Sequence, residues 1–260
     1  LKRRLEREGK QDLWEAVSRD LLPLPTVPAD AAQTSGARID DLDDLPLIYS
    51  EDFESTPVGD IPAGWEHVER LERIQRGHPP DLPIVIDAPG NIGDGKVLYL
   101  TRTANTSNVT GHAAYTFEPV TERLRITFDM YTTSSRRSLL ITLGGSSQSP
   151  ADIHRNTTLS GIFVAMNGGQ VRSLLDAISN LWAHGGFYSS GRWEQVTIDI
   201  DVKAQTFDVY VNGERGNPDP IPFHITEYTD LNTIAFGYQS LSNHNNTDPV
   251  YIDNLVMWGK

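Results

Sequence analysis

The chain contains no cysteine, no long apolar run and no excess of positive charge. Without cysteine it cannot form disulfides, a thiol nucleophile or a thiolate metal site. Its formal net charge of -13 argues against nucleic acid as a partner, because binding would require Lys and Arg to neutralise phosphates, and against anionic membrane surfaces. Because no stretch of about 18 apolar residues occurs, we expect no membrane insertion.

The length of the chain sets the scale of the fold. Its 260 residues allow one all-β sandwich of roughly 200 residues and an additional segment. A domain of that size buries enough apolar surface to fold without disulfides or metals. The chain begins at Leu1 without a Met and shows no signal peptide, so we interpret it as a fragment or a processed product of a larger protein.

The N-terminal segment is predicted to be separate from the sandwich. Residues 1–22 place apolar side chains on one stripe among alternating charges, which predicts a helix. Pro23, Pro25 and Pro28 end this helix, because proline lacks the amide proton that a helix needs. Residues 23–46 are Pro-rich and acidic without periodicity, which is typical of a solvated linker.

From Leu47 onward the hydrophobic period becomes two, which predicts β-strands. Turn signals such as Asp94-Gly95, Asn167-Gly168-Gly169 and Asn212-Gly213 separate the apolar runs. The predicted strands lie around residues 47–53, 97–100, 124–128, 139–143, 162–166, 196–200, 207–211, 234–238 and 251–257. Many short strands with almost no helix indicate a sandwich or a barrel. Residues 172–183 fit either a short helix or a strand.

Several segments together resemble one known superfamily. They are Glu51-Asp52-Phe53-Glu54, Ile61-Pro62-Ala63-Gly64-Trp65, Asp94-Gly95-Lys96-Val97-Leu98, Gly191–Asp201, Gln205–Gly213 and Tyr251-Ile252-Asp253-Asn254-Leu255. In combination they resemble bacterial, exported LamG-like domains of the concanavalin A-like lectin/glucanase superfamily. The resemblance covers residues 47–258 and implies an all-β, two-sheet antiparallel jelly-roll sandwich, so we assign residues 47–260 to this domain.

The resemblance says less about function than about fold. This superfold hosts lectins, adhesion modules, glycoside hydrolases and polysaccharide lyases. Bacterial modules of this kind are often attached to exported sulfatases, glycosidases and lyases. The resemblance therefore implies a secreted, periplasmic or cell-surface location, with other domains of the same parent protein as partners.

Three carboxylates are the candidate metal ligands. Asp52 and Glu54 are two residues apart on a predicted strand, so they project from one face. Asp253 would join them if the first and last strands pair, as the resemblance implies. Hard oxygen ligands are what calcium requires, which predicts a structural Ca2+ site. The alternative is that these carboxylates are exposed to solvent or cap turns at the rim.

Aromatic and polar side chains cluster in two stretches between predicted strands, one of them a Gly-rich loop. Sugars are bound by aromatic faces together with hydrogen bonds from amides and carboxylates. The candidate glycan ligands are Trp182, His184, Tyr188, Tyr238, Gln239 and His244. Trp65 and Trp193 lie at strand boundaries, where we expect them to pack in the core or at its rim.

No catalytic residue is assigned from the sequence. A glycosidase needs two carboxylates. Jelly-roll glucanases supply them from the pattern Glu-x-Asp-x-x-Glu on one strand, and this pattern is absent from the sequence. Jelly-roll lyases use a Tyr or His near Arg and Gln. The side chains that could supply such a set are Arg136, Arg137, His154, Arg155, Arg172, His184 and Tyr188.

The sequence therefore favours a non-catalytic carbohydrate- or surface-ligand-binding module of a larger exported, polysaccharide-processing protein. A polysaccharide lyase or glycoside hydrolase of jelly-roll fold is the first alternative. A structural or protein-interaction domain is the second, and it would present a large exposed apolar patch.

Overall fold

The computed structural model describes residues 45–68, 83–101, 109–134, 139–148, 160–176, 181–226, 228–239 and 248–260. The helix predicted for residues 1–22 and all but the end of the linker predicted for residues 23–46 lie outside these ranges. Within them every regular element is a β-strand, and none is a helix that could span a membrane.

The strands form two antiparallel sheets and are numbered in chain order. The first sheet contains β1 (Leu47–Glu51), β3 (Ile84–Asp87), β4 (Lys96–Leu100), β6 (Arg123–Thr132), β11 (Trp193–Asp201), β12 (Thr206–Val211), β13 (Glu214–Arg215), β14 (Ile221–Pro222) and β16 (Val250–Gly259). The second contains β2 (Trp65–Val68), β5 (Val109–Val120), β7 (Leu139–Gly144), β8 (Ile162–Asn167), β9 (Gln170–Asp176), β10 (Leu181–Phe187) and β15 (Leu231–Gln239). All nine strands expected from the hydrophobic pattern are present.

The C-terminal strand occupies the middle of the first sheet. The order of that sheet is β13-β12-β11-β6-β16-β4-β3, with β1 beside β16 and β14 beside β12. β16 therefore has β6 along one side, while β4 and β1 share its other side. The second sheet has the order β10-β9-β8-β7-β15-β5-β2, so β10 and β2 are its edges.

The alternating apolar residues meet between the two sheets. Val196 and Ile198 of β11 face the same side as Phe128 of β6, and all three are fully buried. Across the core, the Phe128 ring meets the Phe236 ring of β15 edge-on at 5.2 Å. Trp65 is also buried in this core, which confirms its expected packing role. The jelly-roll sandwich is therefore the fold that the periodicity and the resemblance predicted.

An aromatic ladder crosses the outer face of the first sheet. Tyr99, Tyr251, Tyr131 and Trp193 lie directly opposite one another on four neighbouring strands. Their ring centroids are 5.7, 6.1 and 5.6 Å apart in that order. The Trp193 indole N–H donates to the Ile92 carbonyl at 2.7 Å, which fastens the loop before β4 over the ladder. Trp193 thus packs, as expected.

Replacing Tyr131 should show what the ladder contributes to stability. Tyr131 is buried between the rings of Tyr251 and Trp193, so Tyr131→Ala should lower the free energy of unfolding by about 3 kcal/mol. Tyr131→Phe keeps the ring and should cost less than about 1 kcal/mol. Denaturant unfolding of both variants measures the difference; equal losses would mean that the hydroxyl and not the ring contact matters.

Candidate functional site

The Gly-rich stretch expected to be a loop is largely an edge strand. Trp182 and His184 lie on β10, which pairs antiparallel with β9 and ends at Phe187. Residues 173–175, which the sequence left between helix and strand, lie within β9. The aromatic side chains at this place are therefore held by strand pairing.

The register of β9 and β10 brings several of these side chains to one face. Trp182 lies opposite Leu174, and His184 lies opposite Arg172. The register then shifts across Gly185 and Gly186, so that Phe187 lies opposite Gln170. Such a bulge keeps Phe187 on the same face as His184. We call Trp182, His184 and Phe187, with Arg172 and Gln170 beside them, the edge strip.

Two glycines make the bulge possible. Gly186 has φ of 112°, and a Cβ atom placed on Gly216 of the opposite sheet would collide with the backbone of Gly185 and Gly186. Positive φ and close backbone approach both favour glycine. The two glycines therefore allow a bulge within β10 that keeps Phe187 on the same face as His184, and they do not belong to a loop.

The edge strip is accessible to a ligand. Phe187 is 67% exposed and its ring centroid lies 4.5 Å from that of the exposed His184. Trp182 is partly buried and packs edge-on against Phe163 at 5.8 Å, which fixes its ring. Leu181, at the start of the same strand, is 54% exposed. An exposed row of large apolar and aromatic groups on one edge marks an interaction surface.

The polar groups of the edge strip are oriented by hydrogen bonds. The Arg172 Nε donates to Gln170 Oε1 at 2.9 Å, and Arg172 Nη2 donates to the same oxygen. The Gly186 amide donates to His184 Nδ1 at 3.2 Å. Since Nδ1 accepts, the proton of the neutral imidazole lies on Nε2. The guanidinium and the imidazole therefore each present donors toward solvent.

The other predicted glycan ligands are not part of the edge strip. Tyr188 is only 7% exposed and Tyr238 only 1%, so both side chains lie in the core. Burial raises the pKa of the Tyr188 hydroxyl to about 12. Gln239 is the last residue of β15, and His244 lies outside the described residues. Aromatic type alone did not separate the exposed Phe187 from the two buried tyrosines.

The centre of the second sheet's outer face is filled by apolar and small side chains. Leu140, Phe163 and Ala165 on this face are buried, with Leu174 and Trp182 packed against them. Further along, the buried His112 lies flat on Gly237, where a Cβ atom would overlap the imidazole. Strands β7, β8 and β15 contain neither Asp nor Glu. Among the described residues, the exposed aromatic groups of this face therefore lie at its β10 edge, whereas exposed polar groups such as Glu66 also lie at the β2 edge.

The residues considered for a lyase are only partly brought together. Arg172 and His184 are cross-strand neighbours, whereas the nearby Tyr188 is buried. The other four candidates, Arg136, Arg137, His154 and Arg155, lie outside the described residues.

A polar cavity of about 490 Å³ opens beside the loop that follows β1. Glu51, Asp60 and His67 line it, and burial lowers the pKa of the His67 imidazole. No Trp, Tyr or Phe is among its described lining residues, so it offers a sugar no large aromatic face. For this reason the edge strip is the better candidate.

The predicted metal ligands lie around an irregularity in β16. The register between β16 and β6 shifts after Asp253, and Asn254 has φ of 50°. Burial raises the pKa of Asp253 to about 6; a hydrogen bond from the Asn254 amide opposes this effect, and the charges of Asp129, Glu54 and Asp52 add to it. The three predicted carboxylates are therefore close enough to repel one another.

These carboxylates do not already form a metal site. Within the part of the chain that the structure describes, no three His, Asp or Glu side chains are arranged to hold an ion. Glu54 Oε1 accepts the Lys96 amide at 2.7 Å, and Asp52 Oδ1 accepts the Glu54 amide at 3.1 Å. A small cavity of about 230 Å³ between β1 and β16 is lined by Asp52 and Asn254.

Comparison with known proteins identifies the fold. No protein-family model and no curated protein matches the chain. A sialidase structure aligns with 81% of this chain at a TM-score of 0.57 and 13% identity, but this chain spans only 18% of that sialidase. The laminarinase catalytic domain from Thermotoga maritima aligns over 84% of this chain and 99% of its own, with a TM-score of 0.53 and 12% identity.

A GH16 protein of the Bacteroides ovatus mixed-linkage glucan PUL, solved in complex with the product G4G4G3G, gives a similar result. It aligns over 80% of this chain and 99% of its own, with a TM-score of 0.52 and 11% identity. The described sandwich thus has the fold of the concanavalin A-like jelly rolls, as the sequence resemblance implied.

The raised pKa of Asp253 predicts that its charge destabilises the fold at neutral pH. Its folded pKa of about 6 lies above the ordinary value near 3.9, so its stabilising effect is complete below about pH 4 and lost as the pH rises through 6. Asp253→Asn should therefore raise the melting temperature at pH 7.5, measured in EDTA, and leave it nearly unchanged at pH 4. Asp87→Asn, on an exposed part of β3, is the control. A lower melting temperature for Asp253→Asn at pH 7.5 would contradict the prediction.

Proposed function

We propose that this sandwich is a non-catalytic carbohydrate-binding module of a larger exported protein. The observation that carries the proposal is the edge strip, in which Trp182, His184 and Phe187 are aligned on one face of an edge strand. A rigid row of aromatic rings with a few oriented polar groups is the arrangement that ligand sites share. An edge strand leaves such a row open along its length, as a polymer requires.

The chemistry of the edge strip suits a sugar. Its rings offer apolar faces to the C–H groups of a pyranose, and large aromatic side chains dominate the energetics of such contacts. Arg172, Gln170 and His184 lie beside these rings and supply hydrogen-bond donors. A laminarinase and a GH16 protein of a mixed-linkage glucan PUL share this fold, which supports the choice of a glycan as the ligand.

The composition of the central strands supports a non-catalytic role. A glycosidase needs two carboxylates flanking the scissile bond, about 5–5.5 Å apart in retaining enzymes and further apart in inverting ones. Strands β7, β8 and β15, at the centre of the second sheet, carry no Asp or Glu, and apolar residues fill their outer face. Binding without cleavage is therefore the function that the described residues support best.

The proposal predicts that exposed aromatic residues of the edge strip bind polysaccharide. Phe187→Ala should weaken binding by about tenfold, because a stacking contact of about 1.4 kcal/mol is lost. Trp182→Ala should have an effect at least as large. Affinity electrophoresis in gels that contain soluble polysaccharides, followed by calorimetry with the best ligand, measures both variants.

The control is Val58→Ala, which trims an exposed apolar side chain on the loop after β1. It should leave the affinity unchanged, and melting temperatures should verify that all variants are folded. If a broad panel of neutral and acidic polysaccharides shows no binding to the wild-type protein, the proposed function is wrong. Binding that neither Trp182→Ala nor Phe187→Ala weakens would remove the edge strip as its site.

We also propose that Ca2+ binds near Asp253 and contributes to stability only. Asp253 would provide one carboxylate, and Asp52 and Glu54 would provide others after their side chains rotate toward it. Oxygen ligands suit calcium, and their mutual repulsion around Asp253 supports a cation at this place. The ion would neutralise that repulsion and connect the end of β1 to β16.

Calcium should therefore raise the melting temperature at pH 7.5. Ligand at 100 times its Kd stabilises the native state by about 2.7 kcal/mol. Asp253→Asn should abolish the calcium-dependent increase, whereas Asp87→Asn should retain it. A melting temperature that is the same in excess Ca2+ and in EDTA would rule out the site.

A further inference from the structure

We infer that the edge strip selects saccharides that carry a carboxylate group. This inference rests on the proposed glycan-binding function and concerns the chemical class of the glycan. It follows from three side chains on β9 and β10, those of Arg172, Gln170 and His184, which present hydrogen-bond donors to solvent and whose side-chain acceptors are already used.

Arg172 is the centre of this donor set. It lies directly opposite His184 and is exposed. Its Nε and Nη2 groups both donate to Gln170 Oε1, which holds the guanidinium in one orientation. Within the described ranges no acidic side chain pairs with Arg172. Its remaining N–H groups are therefore free to donate to a ligand.

The two neighbours of Arg172 add donors and no free acceptor. Gln170 uses its carbonyl oxygen for Arg172, so its amide NH2 group is what remains for a ligand. His184 uses Nδ1 to accept the Gly186 amide, so its Nε2–H is the group that points away from the strand. The three side chains thus combine one permanent positive charge with two further hydrogen-bond donors.

A donor-only set of this kind discriminates between neutral and acidic sugars. Each hydroxyl of a neutral sugar brings a proton that also needs an acceptor, and the edge strip's side chains supply none. A carboxylate only accepts, and its planar pair of oxygens matches a guanidinium. Phe187, whose ring is tilted by 57° against that of His184, lies opposite Gln170 and can hold the apolar face of the same sugar ring.

General electrostatic attraction does not explain such a preference. The chain has a formal net charge of -13, so the protein as a whole repels a polyanion. Binding of an acidic polysaccharide must then come from short-range contacts. Those contacts are local enough to be removed by one substitution.

The test compares two polymers that differ at C6, β-1,4-mannan oligomers and β-1,4-mannuronate oligomers of equal length. At about 0.15 M salt, where charges further than about 8 Å apart are screened, the wild-type protein should bind the mannuronate at least about tenfold more tightly. Arg172→Gln should remove most of this preference, because it should weaken mannuronate binding much more than mannan binding. Lys203→Gln removes one exposed positive charge from the β11–β12 turn and is the matched control.

The outcomes separate this inference from the proposed function. Equal affinity for the two polymers, with sensitivity to Phe187→Ala, would overturn acidic selectivity and leave glycan binding in place. Equal losses in Arg172→Gln and Lys203→Gln would assign the preference to overall charge and also overturn the inference. If the wild-type protein bound neither these oligomers nor any polysaccharide of the wider panel, the proposed function and this inference would fail together.

Discussion

The pairing of the C-terminal strand with strands from the beginning of the domain is the constraint on which the rest of the sandwich depends. β16 is bordered by β6 on one side and by β4 and then β1 on the other. β4 pairs with residues 250–252 and β1 with residues 255–258, so Asp253 and Asn254 lie where one partner strand gives way to the next. The bulge and its half-buried carboxylate occur there because no single neighbour satisfies that part of the strand. The same strand places Tyr251 in the middle of the aromatic ladder.

The candidate site depends on the opposite situation, a strand with a single full-length neighbour. Among the described strands β10 pairs with β9 alone, and Gly216, which follows β13 of the first sheet, approaches the two bulge glycines closely. An unpaired edge is a liability for a sheet, because it invites association with other chains. The register shift at Gly185 and Gly186 interrupts the regular edge and brings His184 and Phe187 into contact. The bulge that interrupts the edge thus also forms the surface that we propose for a glycan.

The sequence predicted the strands in which apolar and polar residues clearly alternate. β6, β11 and β12 alternate apolar and polar residues because one face is core and the other carries charges. β5 and β10 escaped prediction since small residues and glycines replace the apolar half of the pattern, as in His112-Ala113-Ala114 and His184-Gly185-Gly186. For the same reason the site was predicted as a loop. Trp182 and His184 of the edge strip were among the predicted glycan ligands, whereas Arg172 was considered only for a lyase and Phe187 was not among the candidate ligands.

The hydrophobic period of the sequence did not predict which polar side chains are buried, for a different reason. Arg125 occupies a position facing away from the core, yet it is buried and lies 2.5 Å from Asp199. Burial by itself would raise the pKa of Asp199, but hydrogen bonds from Arg123 and Arg125 outweigh it and lower the pKa. The ion pairs with Arg123 and Arg125 therefore decide the charge state of Asp199. These pairs depend on the register between neighbouring strands, which the hydrophobic period of the sequence alone does not specify. Arg172 differs from Arg125 in two respects, since it is exposed and its partner is a neutral amide. Because Gln170 is neutral, it orients the Arg172 guanidinium without neutralising its charge. In a chain this acidic, Arg172 is therefore a local positive charge that an anionic group can recognise.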